Sequence, residues 1–191
     1  MDAFEAILTR RSVSRVSKER PDASIVRRLL EAGVRAPNHH MTEPWRFIVL
    51  TGKALTELGE AMAGRIRESY VGEPDLEKRI EVEKARPFRA PVILVVIYSP
   101  SDNPKAIEVE DRYAVGALMQ NILLAAHASG LGAYLRTGPA AEYPGVHDYI
   151  RMSSGEEIAG FIYLGYPEQE PSVELSSRTP VDERTEWRGW G

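Results

Sequence analysis

Cysteine is absent from all 191 residues, which removes disulfides, thiolate or iron–sulfur sites and a cysteine nucleophile from consideration. Any redox chemistry must therefore borrow a cofactor. The four histidines, His39, His40, His127 and His147, lack HExxH or any other chelating spacing, so no metal-site pattern is present. Neither charge sign dominates: 24 Lys and Arg stand against 28 Asp and Glu, a net charge of -4, which leaves no cationic surplus to displace counterions from a nucleic acid. Long hydrophobic runs are missing too. The longest, Ala90–Tyr98, is far too short to cross a bilayer, and Met-Asp-Ala-Phe-Glu at the start lacks the basic lead and apolar run of a leader. The expectation is a soluble, cytoplasmic protein with no nucleic-acid and no membrane partner. No repeat, low-complexity segment, serine nucleophile elbow or isolated acid and base pair is visible. Gly130-Leu-Gly132 is not a dinucleotide fingerprint, because that motif needs a strand before its glycines and a helix after them, and here the order is reversed.

What is present suffices for one core. With 43% hydrophobic residues, the length predicts a single domain over 1–191. Phe4, Ile7 and Leu8 recur at helical spacing in a helix over 2–9, and Ser24 is placed to cap a second helix whose stripe is Ile25, Leu29, Leu30 and Val34. Trp45 to Leu50 is a strand closing on Thr51-Gly52. Lys53 to Arg86 is a charged, mostly helical cover broken near Gly72 to Pro74. Pro91 to Ile97 is apolar on both faces, as a strand in the middle of a covered sheet must be. A helix over Val109 to Ser129 is apolar around most of its circumference, a pattern for burial against another subunit, and Gly130 suits its left-handed end. Gly132 to Leu135 and Ile158 to Leu164 read as two further strands with a short helix near Val146 to Met152 between them, and a polar tail follows Pro167. The predicted class is α+β: a mixed, mainly antiparallel sheet of four or five strands wrapped by helices.

Thr9-Arg-Arg-Ser-Val-Ser-Arg15 sets three arginines and two serines at the end of the first helix. Guanidinium forks match phosphate oxygens, and a neighbouring serine can add a donor, so Arg10, Arg11 and Ser12 are candidate phosphate ligands. The same cations also suit the solvated C-terminal end of a helix. Trp45 reads as a core or interface aromatic, Gln120 and Asn121 as helix-bridging amides or ligand contacts, and His127 and His147 as ordinary histidines.

Five segments in order, Arg10-Arg-Ser-Val-Ser-Arg15, Arg35-Ala-Pro-Asn-His39 with Pro44-Trp-Arg-Phe47, Phe88-Arg-Ala-Pro91, Gly116-Ala-Leu-Met-Gln-Asn121 through Gly130-Leu-Gly132, and Tyr163-Leu-Gly-Tyr-Pro167, resemble the flavin-dependent nitroreductase family. Its short, single-domain NAD(P)H nitroreductases are the subgroup in view, and the likeness covers almost the whole chain. The resemblance implies a nitroreductase-like homodimer that binds flavin mononucleotide (FMN) and reduces nitroaromatic or quinone-like acceptors with NADH or NADPH by a ping-pong mechanism. It implies FMN contacts from Arg10, Arg11 and Ser12, from Arg35 and His39 of the other subunit, and from Leu135, Arg136 and Thr137. It also implies a nicotinamide-cofactor segment over Ala125, Ala126, His127, Ala128, Ser129 and Gly130. No catalytic residue is expected, because the flavin carries the chemistry. Met41 and Glu43 depart from the family's amide residues in the Pro-Trp loop. The alternatives are an FMN-binding protein without turnover, a sibling acting on another substrate such as an enoate, and a helical scaffold with no cofactor.

Overall fold

Seven consecutive residues, Val92–Tyr98, form a strand (β2) in which every side chain is buried. Such a strand needs a layer on each face, and the structure, a computed structural model describing residues 1–169 and 177–190, supplies both. β2 lies between β1 (Trp45–Thr51) and β4 (Glu157–Gly165), with β3 (Gly132–Arg136) outside β4, giving the order β1-β2-β4-β3. Val92, Leu94, Val96 and Tyr98 face α2 (Ala23–Gly33) and the 21-residue α5 (Glu108–Ala128). Ile93, Val95 and Ile97 face α3 (Lys53–Ser69) and α6 (Pro144–Ile150). The first helix, α1 (Ala3–Thr9), rests on α5, and α4 (Leu76–Ala85) packs on α3.

Among the described residues every strand pair is antiparallel, so the expected mixed sheet is corrected to a four-stranded antiparallel one. Strands alternating with helices suggest parallel crossovers, but each connection here is long enough to bring the next strand back antiparallel. A second correction concerns α2: the amides of Ile25 and Val26 bond back to the Asp22 carbonyl at 3.0 and 3.2 Å, so Asp22 caps the helix and Ser24 lies inside it. The polar tail after Pro167 includes residues 170–176, which lie outside the described residues.

α1 is fixed by a capping box: Asp2 accepts from the Glu5 amide at 2.9 Å while the Glu5 carboxylate accepts from the Asp2 amide. Ala6 is buried, but the large apolar residues of α1 are uncovered, with Phe4 80% exposed, and Ile7 and Leu8 also in solvent. α5 buries Leu118, Ile122 and Ala126 completely but leaves Val109 and Tyr113 exposed, with Gly116 and Gln120 on the same outer stripe. Gly130 ends α5 at φ +74, a left-handed conformation that costs glycine nothing.

Candidate cofactor site

The arginine segment is held along the free edge of β3. The Val13 amide donates to the Ala133 carbonyl at 2.9 Å, Val16 bridges Pro167, and the Ser17 amide donates to the Tyr166 carbonyl at 2.8 Å. This crossing depends on Gly132, where a Cβ would stand 2.9 Å from methyl carbons of both Val13 and Val16. Arg10 and Arg11 are thereby half-buried and Ser12 exposed. Among the described residues Arg10 makes no ion pair with a carboxylate.

The end of α5 closes this region from one side. Thr9 Oγ1 lies 2.8 Å from His127 Nε2, and the same hydroxyl donates its proton to the Glu5 carbonyl at 2.6 Å. The hydroxyl has one proton to give, so Nε2 is the donor to Thr9, which selects the neutral Nε2–H tautomer. Burial, followed by the repulsion of Arg10 and Arg11, pushes the His127 pKa down and agrees with a neutral ring. His127 is thus a strut between α1 and α5. Within Ala125–Gly130, Ala126 is fully buried and its side chain faces the core; Ala128, Ser129 and Gly130 are open to solvent.

Strand alternation separates the trio at the end of β3. Leu135 points toward α5, packing where a Cβ on Gly160 would meet its Cδ1 at 2.7 Å. Arg136 points the other way, with its guanidinium 4.9 Å above the Tyr134 ring and 5.8 Å from that of Tyr163, two residues directly opposed across β3 and β4. Thr137 lies just past the strand, exposed.

Arg35 and His39 sit elsewhere. Arg35 follows the end of α2 and is exposed. His39 Nδ1 meets Glu110 Oε2 at 2.7 Å in the first turn of α5 and stacks on His40 at 3.9 Å, which leaves Nε2 outward. Glu110 and His127 are 17 positions apart on one helix, so at 1.5 Å per residue His39 lies about 25 Å from the Arg10 region. One chain does not bring the two groups together.

The loop carrying His39 is strained. His40, Met41 and Glu43 have φ of 54, 53 and 43 degrees, and none is glycine. Three bonds hold it: Asn38 Oδ1 accepts from the Glu43 amide, Asn103 Nδ2 donates to the His40 carbonyl, and Thr42 Oγ1 donates to buried Asp111 Oδ1 at 2.6 Å. Sequence reasoning missed the Thr42–Asp111 bond; Asp111 is one of three carboxylates in the first turn of α5, with Glu108 and Glu110, and nothing in the sequence marks it as the buried one. Also missed was the buried Glu83, paired through its Oε1 with Arg86 at 3.0 Å. Asn121 does bridge helices, its Nδ2 reaching the Ala32 carbonyl at 3.5 Å, while Gln120 is exposed. Trp45 packs half-buried against the α5 side of the core, and His147 Nε2 bonds the Ala141 carbonyl at 2.6 Å. No group of metal-ligating side chains occurs among the described residues.

Comparison with known proteins gives consistent matches. The model described as "Nitroreductase family" matches residues 7–166. "Putative NAD(P)H nitroreductase YdjA" of Escherichia coli K12 is 31% identical over 181 residues, 95% of this chain and 97% of that protein. A solved nitroreductase-like family protein from Bacillus cereus superposes with TM-score 0.83 at 28% identity, covering 100% of this chain and 97% of its own. A nitroreductase from Desulfovibrio desulfuricans, solved in complex with FMN, gives TM-score 0.70 at 27% identity over 98% of this chain and 97% of its own.

Proposed function

This chain belongs to the nitroreductase family, and from that premise we propose that it is a homodimeric, FMN-dependent oxidoreductase that uses NADH or NADPH to reduce nitroaromatic or quinone-like acceptors. The observation that carries the reading is the split site. Arg10 presents its guanidinium at one end of α5, whereas His39 lies about 25 Å away at the other end, farther than one FMN spans. Two chains with their α5 helices antiparallel bring Arg10 of one beside Arg35 and His39 of the other. The surfaces such a dimer would cover are those the single chain leaves bare: Phe4, Ile7 and Leu8 on α1, and Val109 and Tyr113 on α5. Gly116 supports the same contact. It is exposed on a helix where glycine costs about 1 kcal/mol relative to alanine, and among the described residues nothing lies within 4 Å of its absent Cβ; a second helix approaching closely gives that absence a purpose.

The residues on the α5 face of β3 fit FMN. Arg10 and Arg11 match the phosphate, the exposed Ser12 hydroxyl matches the phosphate or ribityl chain, and half-buried Leu135 offers an apolar rest for a flat ring. Arg136 contributes on this face through its peptide, since its side chain turns away. Thr137 adds a hydroxyl at the rim. Bound flavin supplies two-electron redox chemistry, moving a hydride from the nicotinamide donor to the acceptor. The protein's part is to hold, orient and exclude water, and donor and acceptor using one open face in turn gives ping-pong kinetics. Exposed residues Ala128 to Gly130 border that face and are the proposed nicotinamide contacts, with His127 acting beneath them as a strut. In the proposed dimer the strained loop of the other subunit, the one that carries Met41, forms the opposite rim, where a thioether offers contact without a hydrogen-bond donor.

The test is the visible spectrum of the purified protein after incubation with FMN, followed anaerobically by NADH or NADPH. A bound flavin spectrum that bleaches rapidly with either donor and returns with a nitroaromatic or quinone is expected. A colourless protein refutes the flavin reading, and a yellow protein that neither donor bleaches makes it a binder without turnover.

A further inference from the structure

On the α3 side of the sheet, facing away from the proposed flavin surface, lies a second cleft of about 350 Å³. Its floor is aromatic, formed by Tyr134, Phe161 and Tyr163, and two guanidiniums, Arg86 and Arg136, stand in its walls. A third, Arg89, lines an adjoining hollow with Arg136 and the same two tyrosines. Neither lining contains a carboxylate, and the one ion pair these cations make among the described residues is that of Arg86 with Glu83. That compensation is poor. Burial pushes the Glu83 carboxyl pKa up, only partly opposed by Arg86 and Arg89, and its Oε2 has no hydrogen-bond partner. Arg86 Nε is likewise buried and unpartnered, although a buried guanidinium donor left unmade is costly. A cleft lined by surplus positive charge over an aromatic floor is built to receive an oxyanion carried on a ring or ribose.

We propose that this cleft is a binding site for a phosphate monoester, separate from the flavin, with Arg86 and Arg136 as the phosphate ligands and Arg136 held in place by its stacking on the Tyr134 and Tyr163 rings. Two sources share that chemistry. Because Leu135, Thr137 and Gly138 border both the cleft and the proposed flavin face, a donor seated on the flavin can turn around the end of β3 and place a 2′-phosphate here, which selects NADPH over NADH. The other source is a free phosphorylated metabolite bound independently of the donor. The donor route rests on the function proposed above; phosphate binding itself does not.

The experiment is calorimetric titration of the FMN-loaded protein with 2′-AMP, adenosine and inorganic phosphate, together with steady-state kcat/KM for NADPH and NADH. The expected result is that 2′-AMP and phosphate bind, adenosine binds at least tenfold more weakly than 2′-AMP, and Arg86→Gln weakens 2′-AMP tenfold or more. Glu83→Gln separates this from damage to the fold. It removes the carboxylate that competes for Arg86, so it should tighten 2′-AMP several-fold, whereas a purely structural role for the pair predicts weakening in both variants. A tenfold fall in kcat/KM for NADPH but not NADH in Arg86→Gln, with 2′-AMP competing against NADPH alone, identifies the donor's phosphate. Equal kinetics with both donors alongside intact 2′-AMP binding identifies the separate metabolite. Absence of phosphate and 2′-AMP binding overturns the proposal, as does binding that Arg86→Gln leaves unchanged or that disappears when FMN is loaded.

Discussion

Damaging the two ends of α5 on different chains should restore part of what each lesion removes alone. Arg10→Ala deletes a charge-assisted contact to phosphate worth about 1.5 to 3 kcal/mol, a tenfold to hundredfold loss in FMN affinity. Arg35→Ala with His39→Ala empties the other half. In either homodimer both sites are incomplete, and at a flavin concentration near the wild-type dissociation constant both proteins should stand largely unloaded. When the two are unfolded together in equal amounts and refolded, about half of the dimers are mixed. Each mixed dimer has one site lacking Arg10, Arg35 and His39 and one site lacking none, so about a quarter of all sites should regain wild-type affinity. The assay is bound flavin per chain on heterodimers isolated by two affinity tags, with donor-driven acceptor reduction as a second readout. Isolated heterodimers should carry about a quarter of a flavin per chain at that concentration, rising to about half when the intact sites are saturated. The geometry behind this is the 17-position separation of Glu110 and His127 along one rigid helix, which no local adjustment shortens. Heterodimers that load no better than the parents would refute the shared site; loading by an isolated monomer would refute it more directly.

Three other outcomes follow from the same structure. Riboflavin lacks the phosphate, so Arg10→Ala should weaken FMN strongly and riboflavin little, and equal losses in parallel fluorescence titrations would remove the phosphate role. Glu156 is held at a pKa of about 2, chiefly by its hydrogen bonds from Arg46 at 2.6 and 2.8 Å, against the opposing effect of burial; because this lies below the ordinary glutamate value, the stabilisation is complete above that value and is lost as pH falls toward 2. Discounted for the partly exposed Arg46, it is on the order of 2 kcal/mol, and urea denaturation of Glu156→Gln should show a flatter pH dependence between about pH 5 and 2. Double-reciprocal plots at several fixed acceptor concentrations should be parallel, while intersecting lines would put donor and acceptor on the enzyme together and defeat the single-face model.

Much of the fold was legible because its strongest signals were local. Val92–Tyr98 had no polar residue to assign to a solvent face, which placed it inside the sheet, and the apolar wrapping of α5 with Gly130 behind it marked a long packed helix and its end. Strand direction was not legible, since helices between strands are compatible with either sense when the connections are long. Nor was the cap of α2, where Asp22 and Ser24 are both competent and the backbone bonds to the Asp22 carbonyl decide. The spacing of Phe4, Ile7 and Leu8 correctly gave a helix, but the core they were fitted for is absent from their own chain. Glu83 with Arg86 and Thr42 with Asp111 depend on tertiary burial that sequence does not display. The separation of the Leu135 and Arg136 side chains, by contrast, is implicit in any strand, where neighbours face opposite ways.

That alternation has a consequence for how one edge strand serves two chemistries. On the α5 side, Leu135 packs its hydrocarbon against the core, and the proposed flavin site draws its cations from Arg10 and Arg11 near His127. On the α3 side, Arg136 stands over Tyr134 and Tyr163 with Arg86 and Arg89 nearby, so that the strand's other face gathers positive charge over aromatic carbon. The backbone between them is shared and rigid, because β3 is bonded to β4 along five register pairs on one side and held by the Val13 amide on the other. A ligand settling on one face therefore cannot alter the register of the other. What it can alter is the unpaired end at Thr137 and Gly138, the point at which a molecule long enough to pass from ring to phosphate would have to cross. If the phosphate bound here is the donor's, lengthening the exposed turn after Thr137 should lower the ratio of kcat/KM for NADPH to that for NADH while leaving flavin contacts at Arg10 intact.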